Sequence, residues 1–216
     1  MRQLYEAEAS NYDKKYDTDA RQETLDLYVQ ELDTDLGATR GRKALDVGAG
    51  TGFLTGILLK SAYDAYGVDF SQAMLAIAKA TYPLGKFERR DAESDGAAYA
   101  DSSFDLIISR QVVGHFLDPI AAFRNWHHWL TSGGHAAVID AFWSRADWSG
   151  NWSKFVDHLP LACTDSWAPV SYLLRQAGFS IKTARLLDRV NADECQRSSA
   201  NGMKPKVRYM VVAQKI

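Results

Sequence analysis

The stretch that decides the fold is Ala44-Leu45-Asp46-Val47-Gly48-Ala49-Gly50-Thr51-Gly52-Phe53-Leu54, followed by Asp69. An apolar run ends in three glycines spaced G-x-G-x-G, and a carboxylate stands 21 residues after the first of them. Glycine lets the backbone turn tightly and approach a ligand closely. The helix that follows such a loop aims its unpaired N–H groups at the same spot. A carboxylate at the tip of the next strand can accept both hydroxyl hydrogens of a ribose. The spacing points to a site for a nucleoside cofactor.

The dinucleotide fingerprint G-x-G-x-x-G places its third glycine where the helix packs on the sheet. Counted from Gly48, that position holds Phe53, and the extra glycine stands one residue earlier, at Gly52. Residues 47–55 contain no Lys or Arg to meet a pyrophosphate. A nicotinamide oxidoreductase is therefore disfavoured. The run Leu45-Asp46-Val47-Gly48-Ala49-Gly50-Thr51-Gly52 resembles motif I of the class I S-adenosylmethionine-dependent methyltransferases, small-molecule type (methyltransferase type 11-like). The alternative is a glycine-rich strand-to-helix turn without a ligand.

The chain has 216 residues, enough for one α/β domain with a sizeable core. Hydrophobic residues make up 46% and charged residues 24%, the balance of an ordinary globular protein. Lys and Arg number 25 against 27 Asp and Glu, so nothing marks a nucleic-acid footprint. Cys163 and Cys195 are isolated and have neither metal spacing nor a redox-pair spacing. The polar start Met1-Arg2-Gln3-Leu4-Tyr5-Glu6 does not read as a signal peptide, and no long apolar span appears. The expectation is a cytoplasmic protein with no membrane and no nucleic-acid partner; the oligomeric state is not legible.

Apolar patterning predicts strands over 43–47, 65–68, 87–89, 104–109, 135–141, 179–186 and 207–212, and helices over 21–36, 51–60, 71–80, 119–130 and 171–176. Strands alternating with helices predict a single Rossmann-like, doubly wound α/β sheet of about seven strands, mostly parallel. The resemblance adds an antiparallel last strand. One domain over 1–216 is expected, with an N-terminal helical lid over 1–36 and an aromatic substrate cap over 142–168, after strand five. The ligand crevice belongs at the carboxyl ends of the strands, where strand order reverses.

The resemblance covers residues 40–140 well and the rest loosely, and it implies roles for particular positions. Gly48, Ala49, Gly50 and Gly52 would cradle the methionine part of S-adenosylmethionine through the backbone. Asp46 would hold that loop and the cofactor's ammonium end. Asp69 would take the ribose hydroxyls, and Phe70 and Met74 would border the cofactor. Asp91 and Ala92, in Arg90-Asp91-Ala92-Glu93, match the family's Gly-Asp-Ala-Glu element and would meet the adenine; Arg90 departs from the glycine. Ser109-Arg110-Gln111 matches the fourth motif, with Arg110 and Gln111 beside the sulfonium. Tyr12 and Tyr16 resemble the N-terminal segment that closes over cofactor and substrate. Taken singly, Asp91 also fits a loop carboxylate, Asp69 a helix cap, and the two tyrosines simple packing.

Methyl transfer from a sulfonium is an in-line displacement that asks the protein for alignment and water exclusion, with no metal required. His115 is the candidate general base, against the alternative of a structural histidine. Asp140, Trp143, Trp148 and Trp152, with Tyr12, Tyr16 and His115, are expected to hold the acceptor. Residues 142–168 carry four tryptophans, and counted with Asp140 the segment has four acids, so it reads as aromatic and net acidic, suited to an amine or guanidine. The expected activity is N-methylation of a small molecule, with O-methylation of a phenol, enol or carboxylate as the alternative. Ser109-Arg110-Gln111-Val112 lacks the proline-rich element of base methyltransferases. A peptide acceptor and a non-catalytic nucleoside-binding module remain the other readings.

Overall fold

A computed structural model of the chain describes residues 2–12, 22–37, 41–200 and 204–216. Seven strands form one sheet: β1 Lys43–Val47, β2 Asp64–Asp69, β3 Lys86–Arg89, β4 Phe104–Arg110, β5 Leu130–Ala141, β6 Phe179–Leu186 and β7 Arg208–Lys215. Their order is β3-β2-β1-β4-β5-β7-β6. β7 runs antiparallel to both β5 and β6, and the other pairs are parallel. The predicted mostly parallel sheet with an antiparallel last strand is what forms. Strand order reverses between β1 and β4, and a crevice opens at that point.

Period-two alternation divides the core into two layers. Leu45, Val47, Ile107, Val138 and Val211 face one side, where they pack with Phe123, Trp126 and Trp129 of helix α5 (Pro119–Trp129) and Val170 and Leu174 of α6 (Ala168–Gln176). Ala44, Leu106, Ile108, Ala137, Met210 and Val212 face the other. There they meet Leu25, Tyr28 and Leu32 of α2 (Gln22–Leu36), Leu54, Ile57 and Leu58 of α3 (Phe53–Lys60), and Val190 of α7 (Asp188–Ala200). Helix α4 (Gln72–Thr81) starts at Ser71, whose hydroxyl accepts the Met74 N–H at 3.2 Å. An N-terminal helix, α1 (Arg2–Glu8), precedes a short turn at Ala9–Asn11.

Several boundaries differ from the sequence reading. The first sheet-to-helix crossover becomes helical at Phe53 instead of Thr51, because Gly50 and Gly52 take left-handed backbone angles that a right-handed helix excludes. β5 starts at Leu130 instead of residue 135 and runs through Gly133 and Gly134. Helix α7 was not anticipated. It is strongly polar, with Val190 as its fully buried aliphatic residue, so it shows almost no apolar stripe. Among the described residues no helix is long and apolar enough to cross a membrane.

Candidate active site

The glycine loop at the end of β1 is closed by backbone bonds. Gly48 and Ala49 N–H both donate to the Val68 carbonyl, at 2.8 and 2.9 Å, and Gly52 N–H donates to Ala49 O at 2.8 Å. Asp69, at the carboxyl end of β2, ties this loop to the next helix. Its Oδ2 accepts the Gly50 N–H at 2.9 Å and its Oδ1 accepts the Ser71 N–H at 2.8 Å. Burial pushes the Asp69 carboxyl up, although these two N–H groups oppose the rise. Each carboxylate oxygen keeps a second lone pair for a guest hydroxyl.

Asp46 lies beneath the loop. Its Oδ2 accepts the Thr55 hydroxyl at 2.7 Å, which fixes the first turn of α3, while its Oδ1 is enclosed without a hydrogen-bond partner. Burial pushes its carboxyl up to about 7, against the pull of the Thr55 bonds.

Three cavities meet at the carboxyl edge of β1 and β4. The largest, about 830 Å³, lies between Gly48, Asp69 and Phe70 on one side and Asp91 and Ala92 on the other. A second, about 210 Å³, is lined by Tyr5, Tyr12, Gln111, Trp143, Trp148 and Trp152, with His115 and Asp147. A third, about 50 Å³, joins them past Gly50, Met74, Arg110 and Gln111. His115 lines all three.

Most expected site residues are thus gathered around one continuous crevice. Ala49, Gly52, Asp46 and Asp140 line none of the three cavities. Ala49 packs with Leu75, Ala78 and Phe87. A β-carbon on Gly52 would stand 2.8 Å from the Tyr82 ring and 3.1 Å from the Ala78 Cβ, so this glycine serves the contact with α4. Asp140 is buried, and its Oδ1 accepts from Trp143 Nε1 at 2.8 Å and from Ala141 N–H at 2.7 Å. Tyr16 lies outside the described residues.

Gln111 is held in the left-handed region at φ 56°, with its N–H donating to Ile139 O at 2.9 Å. A non-glycine residue there is uncommon, and it carries this side chain to the junction of the second and third cavities. Arg110 turns back from the junction. Its Nε donates to the Tyr28 hydroxyl at 3.3 Å, and its guanidinium covers the Phe53 ring at 4.5 Å. His115 is wedged between Tyr5, Trp148 and Trp152, with ring centres 5.9, 5.1 and 5.3 Å away. Burial pushes its imidazole down to about 4, partly offset by the Val112 carbonyl. Its Nδ1 is enclosed without a hydrogen-bond partner.

The structure adds residues the sequence reading missed. Tyr5 of α1 sits against Phe70, His115 and Trp152, and its neighbour Glu6 accepts the Gln72 and Ala73 N–H groups at 2.9 and 3.0 Å. α1 is thereby fastened to the start of α4 beside the crevice. Glu93 accepts from Leu117 and Asp118 N–H at 3.0 and 2.7 Å and shapes the far wall. Arg90, in the place of the family's glycine, pairs with Glu88 and Asp95 at the rim. The tyrosine-rich start of the chain was the available signal for Tyr5. The carboxylates gave none, because their partners are distant in sequence.

The acidic character expected of residues 142–168 needs correction. Asp140 is engaged by Trp143, Asp147 pairs with Lys206, and Asp157 pairs with Arg145. The tryptophans divide between two places. Trp148 packs with Val156, Leu159 and Ala162 and donates its Nε1 hydrogen to Ala162 O at 2.9 Å, while its ring lines the second cavity. Trp167 instead joins the main core against Phe142 and Tyr209. No group of three or more His, Cys, Asp or Glu side chains placed to hold a metal occurs among the described residues.

Residues 45–138 match the family model described as a methyltransferase domain. Phosphoethanolamine N-methyltransferase 1 of Triticum aestivum is 34% identical over 122 residues, covering 55% of this chain and 24% of that protein. The ubiquinone biosynthesis O-methyltransferase of Ruegeria pomeroyi is 30% identical over 109 residues, covering 48% and 44%. The chain thus spans less than half the length of either relative. Among solved structures, an S-adenosylmethionine-dependent methyltransferase from Mesorhizobium loti superposes with a TM-score of 0.66 at 20% identity, over 88% of this chain and all of that one. The chain carries the Rossmann-like fold of the class I S-adenosylmethionine-dependent methyltransferases, and residues 45–138, under half of its length, are similar to the methyltransferase domain family.

Proposed function

We propose that this protein transfers a methyl group from S-adenosylmethionine to a small-molecule acceptor, with an amine nitrogen as the atom methylated. The observation that carries the reading is the junction at His115 and Gln111. There a cavity large enough for a nucleoside opens into a smaller aromatic one. The residues fit the cofactor. Gly48 leaves no room for a side chain, two carboxylates at strand ends face the larger cavity, and Asp46 keeps an unpaired oxygen beneath the loop.

Bound S-adenosylmethionine supplies a methyl group already activated on a sulfonium. The chain's own residues align and enclose the acceptor. Asp69 and Asp91 offer acceptors to the nucleoside, and the loop from Gly48 to Gly50 presents its backbone. Tyr5 and the tryptophans exclude water from the smaller cavity. The His115 imidazole, neutral at working pH, would accept a hydrogen bond from the acceptor amine and hold its lone pair toward the methyl group, while the methylated nitrogen, more basic than this imidazole, keeps its proton until the product leaves. Residues 1–36 would act as the lid and 142–168 as the acceptor cap.

Titration with S-adenosylhomocysteine and, separately, with NADH tests the cofactor; tight NADH binding without a response to the sulfur nucleoside overturns the proposal. Incubating metabolite extracts with labelled cofactor then identifies the acceptor by mass. Methylation of a phenol, enol or carboxylate oxygen is the second reading. It is favoured by the pairing of Asp147 with Lys206, which removes free negative charge from the cavity wall.

A further inference from the structure

The smaller cavity already has a cation at its rim, supplied by the chain itself. Lys206 pairs with Asp147, and its Nζ lies 5.0 Å from the centre of the Trp143 ring. Asp147 and Trp143 both line the cavity. Asp147 is fixed from the other side, its Oδ2 accepting the Ser144 N–H at 2.8 Å and hydroxyl at 3.0 Å. Burial opposes ionisation of this carboxyl, but Lys206 and Ser144 outweigh it and hold the group below its ordinary range. The side chains of the pair remain 22% and 24% exposed, so the contact is covered but within reach of solvent. Lys206 is anchored by its backbone, whose N–H donates to Glu194 Oε1 at 3.1 Å, and its ammonium is carried on a four-carbon stem with rotatable bonds.

A carboxylate and an aromatic face around one ammonium are the features that recognise alkylammonium ions. We propose that Lys206 is an internal competitor for the acceptor: a guest ammonium displaces the Lys206 amine from Asp147 and the Trp143 face. This rests on the amine reading above and narrows it. The nitrogen to be methylated must present a lone pair at His115, so it is neutral there. The charge recognised at Asp147 must then belong to a second group. His115 and Trp143 each pack against Trp148, with ring centres 5.1 and 6.4 Å from it, so the indole links the two positions. The acceptor class is an amine that keeps a second, charged ammonium apart from its reacting nitrogen.

Tetramethylammonium, which cannot be methylated, probes the charged position alone. In the unaltered protein, brief acetylation by an activated ester is read at each lysine by mass spectrometry. Tetramethylammonium is expected to raise acetylation of Lys206 several-fold relative to exposed Lys79; an unchanged ratio overturns the proposal. In a second measurement, Lys206→Gln is expected to bind the probe about tenfold more tightly by tryptophan fluorescence, with the gain lost in the double variant with Asp147→Asn. Equal affinity in folded Lys206→Gln and unaltered protein also overturns it. Titration of the same samples with S-adenosylhomocysteine separates the outcomes. A normal response with no effect at Lys206 sinks this inference alone, whereas no response sinks the methyl-transfer reading.

Discussion

Gly48 and Val112 are packed so closely that a β-carbon on the glycine would stand 2.3 Å from Val112 Cγ2. The glycine also sits at φ 72°, in the left-handed region. Val112 comes from the turn after β4, so this contact joins the two strands that flank the crevice. Gly48→Ala should cost about 2–4 kcal/mol through overpacking and backbone strain, and should abolish S-adenosylhomocysteine binding. Thermal melting and a nucleoside titration check both; an alanine variant that binds normally would remove the loop from the site.

Asp69 serves the loop and the proposed ribose together. Asp69→Ala leaves the Gly50 and Ser71 N–H groups without their acceptor. Cofactor affinity should fall by about 1–3 kcal/mol, measured by calorimetric titration. Unchanged affinity would show that the carboxylate holds the loop alone.

His115 should reveal itself in turnover and in acid stability. His115→Ala is expected to lower turnover by about 10²-fold or more with little change in cofactor affinity. In stability, the unfolded imidazole titrates near 6.5 and the folded one near 4. Between those values the unfolded chain binds the extra proton. The contribution is therefore full above pH 6.5 and is lost as pH falls toward 4, by roughly 3 kcal/mol at most. Melting curves of the alanine variant should fall less steeply across that interval than those of the unaltered protein.

Asp46 has the opposite sign. Its carboxyl ionises near 3.8 when unfolded and near 7 when folded. The folded chain holds the extra proton between those values, so this contribution is full below 3.8 and is lost as pH rises through 7. Asp46→Asn, which can still accept the Thr55 hydroxyl, should raise the melting temperature at pH 8 and change it little near pH 4. The same substitution should weaken cofactor binding, since it removes the charge beneath the loop.

Much of this was legible because it was local. The bounds of β1 and β6 follow from short apolar runs closed by turn residues, and the β1 loop declares its glycines. Tyr12, Gln111, His115 and three tryptophans reach the crevice as expected, because the ends of strands and their loops must meet there. What stayed hidden depends on distant partners. Glu6 reaches residues 72 and 73, and Asp147 meets Lys206 from the far end of the chain. Three of the four acids counted in one segment are engaged by partners that only three dimensions show: Lys206 pairs with Asp147, Arg145 with Asp157, and the Trp143 indole N–H donates to Asp140. Asp140 read as a substrate ligand for the same reason.

β7 fills the gap between β5 and β6, although it is made after both. Until residues 208–215 have emerged from the ribosome, β5 has a bare edge and β6 has no neighbour in the sheet. The tail carries Lys206 just ahead of this strand. Synthesis of residues 206–215 therefore covers an aggregation-prone edge and brings the ammonium to Asp147 together. The smaller cavity gains its Lys206–Asp147 pair only once β7 has been made.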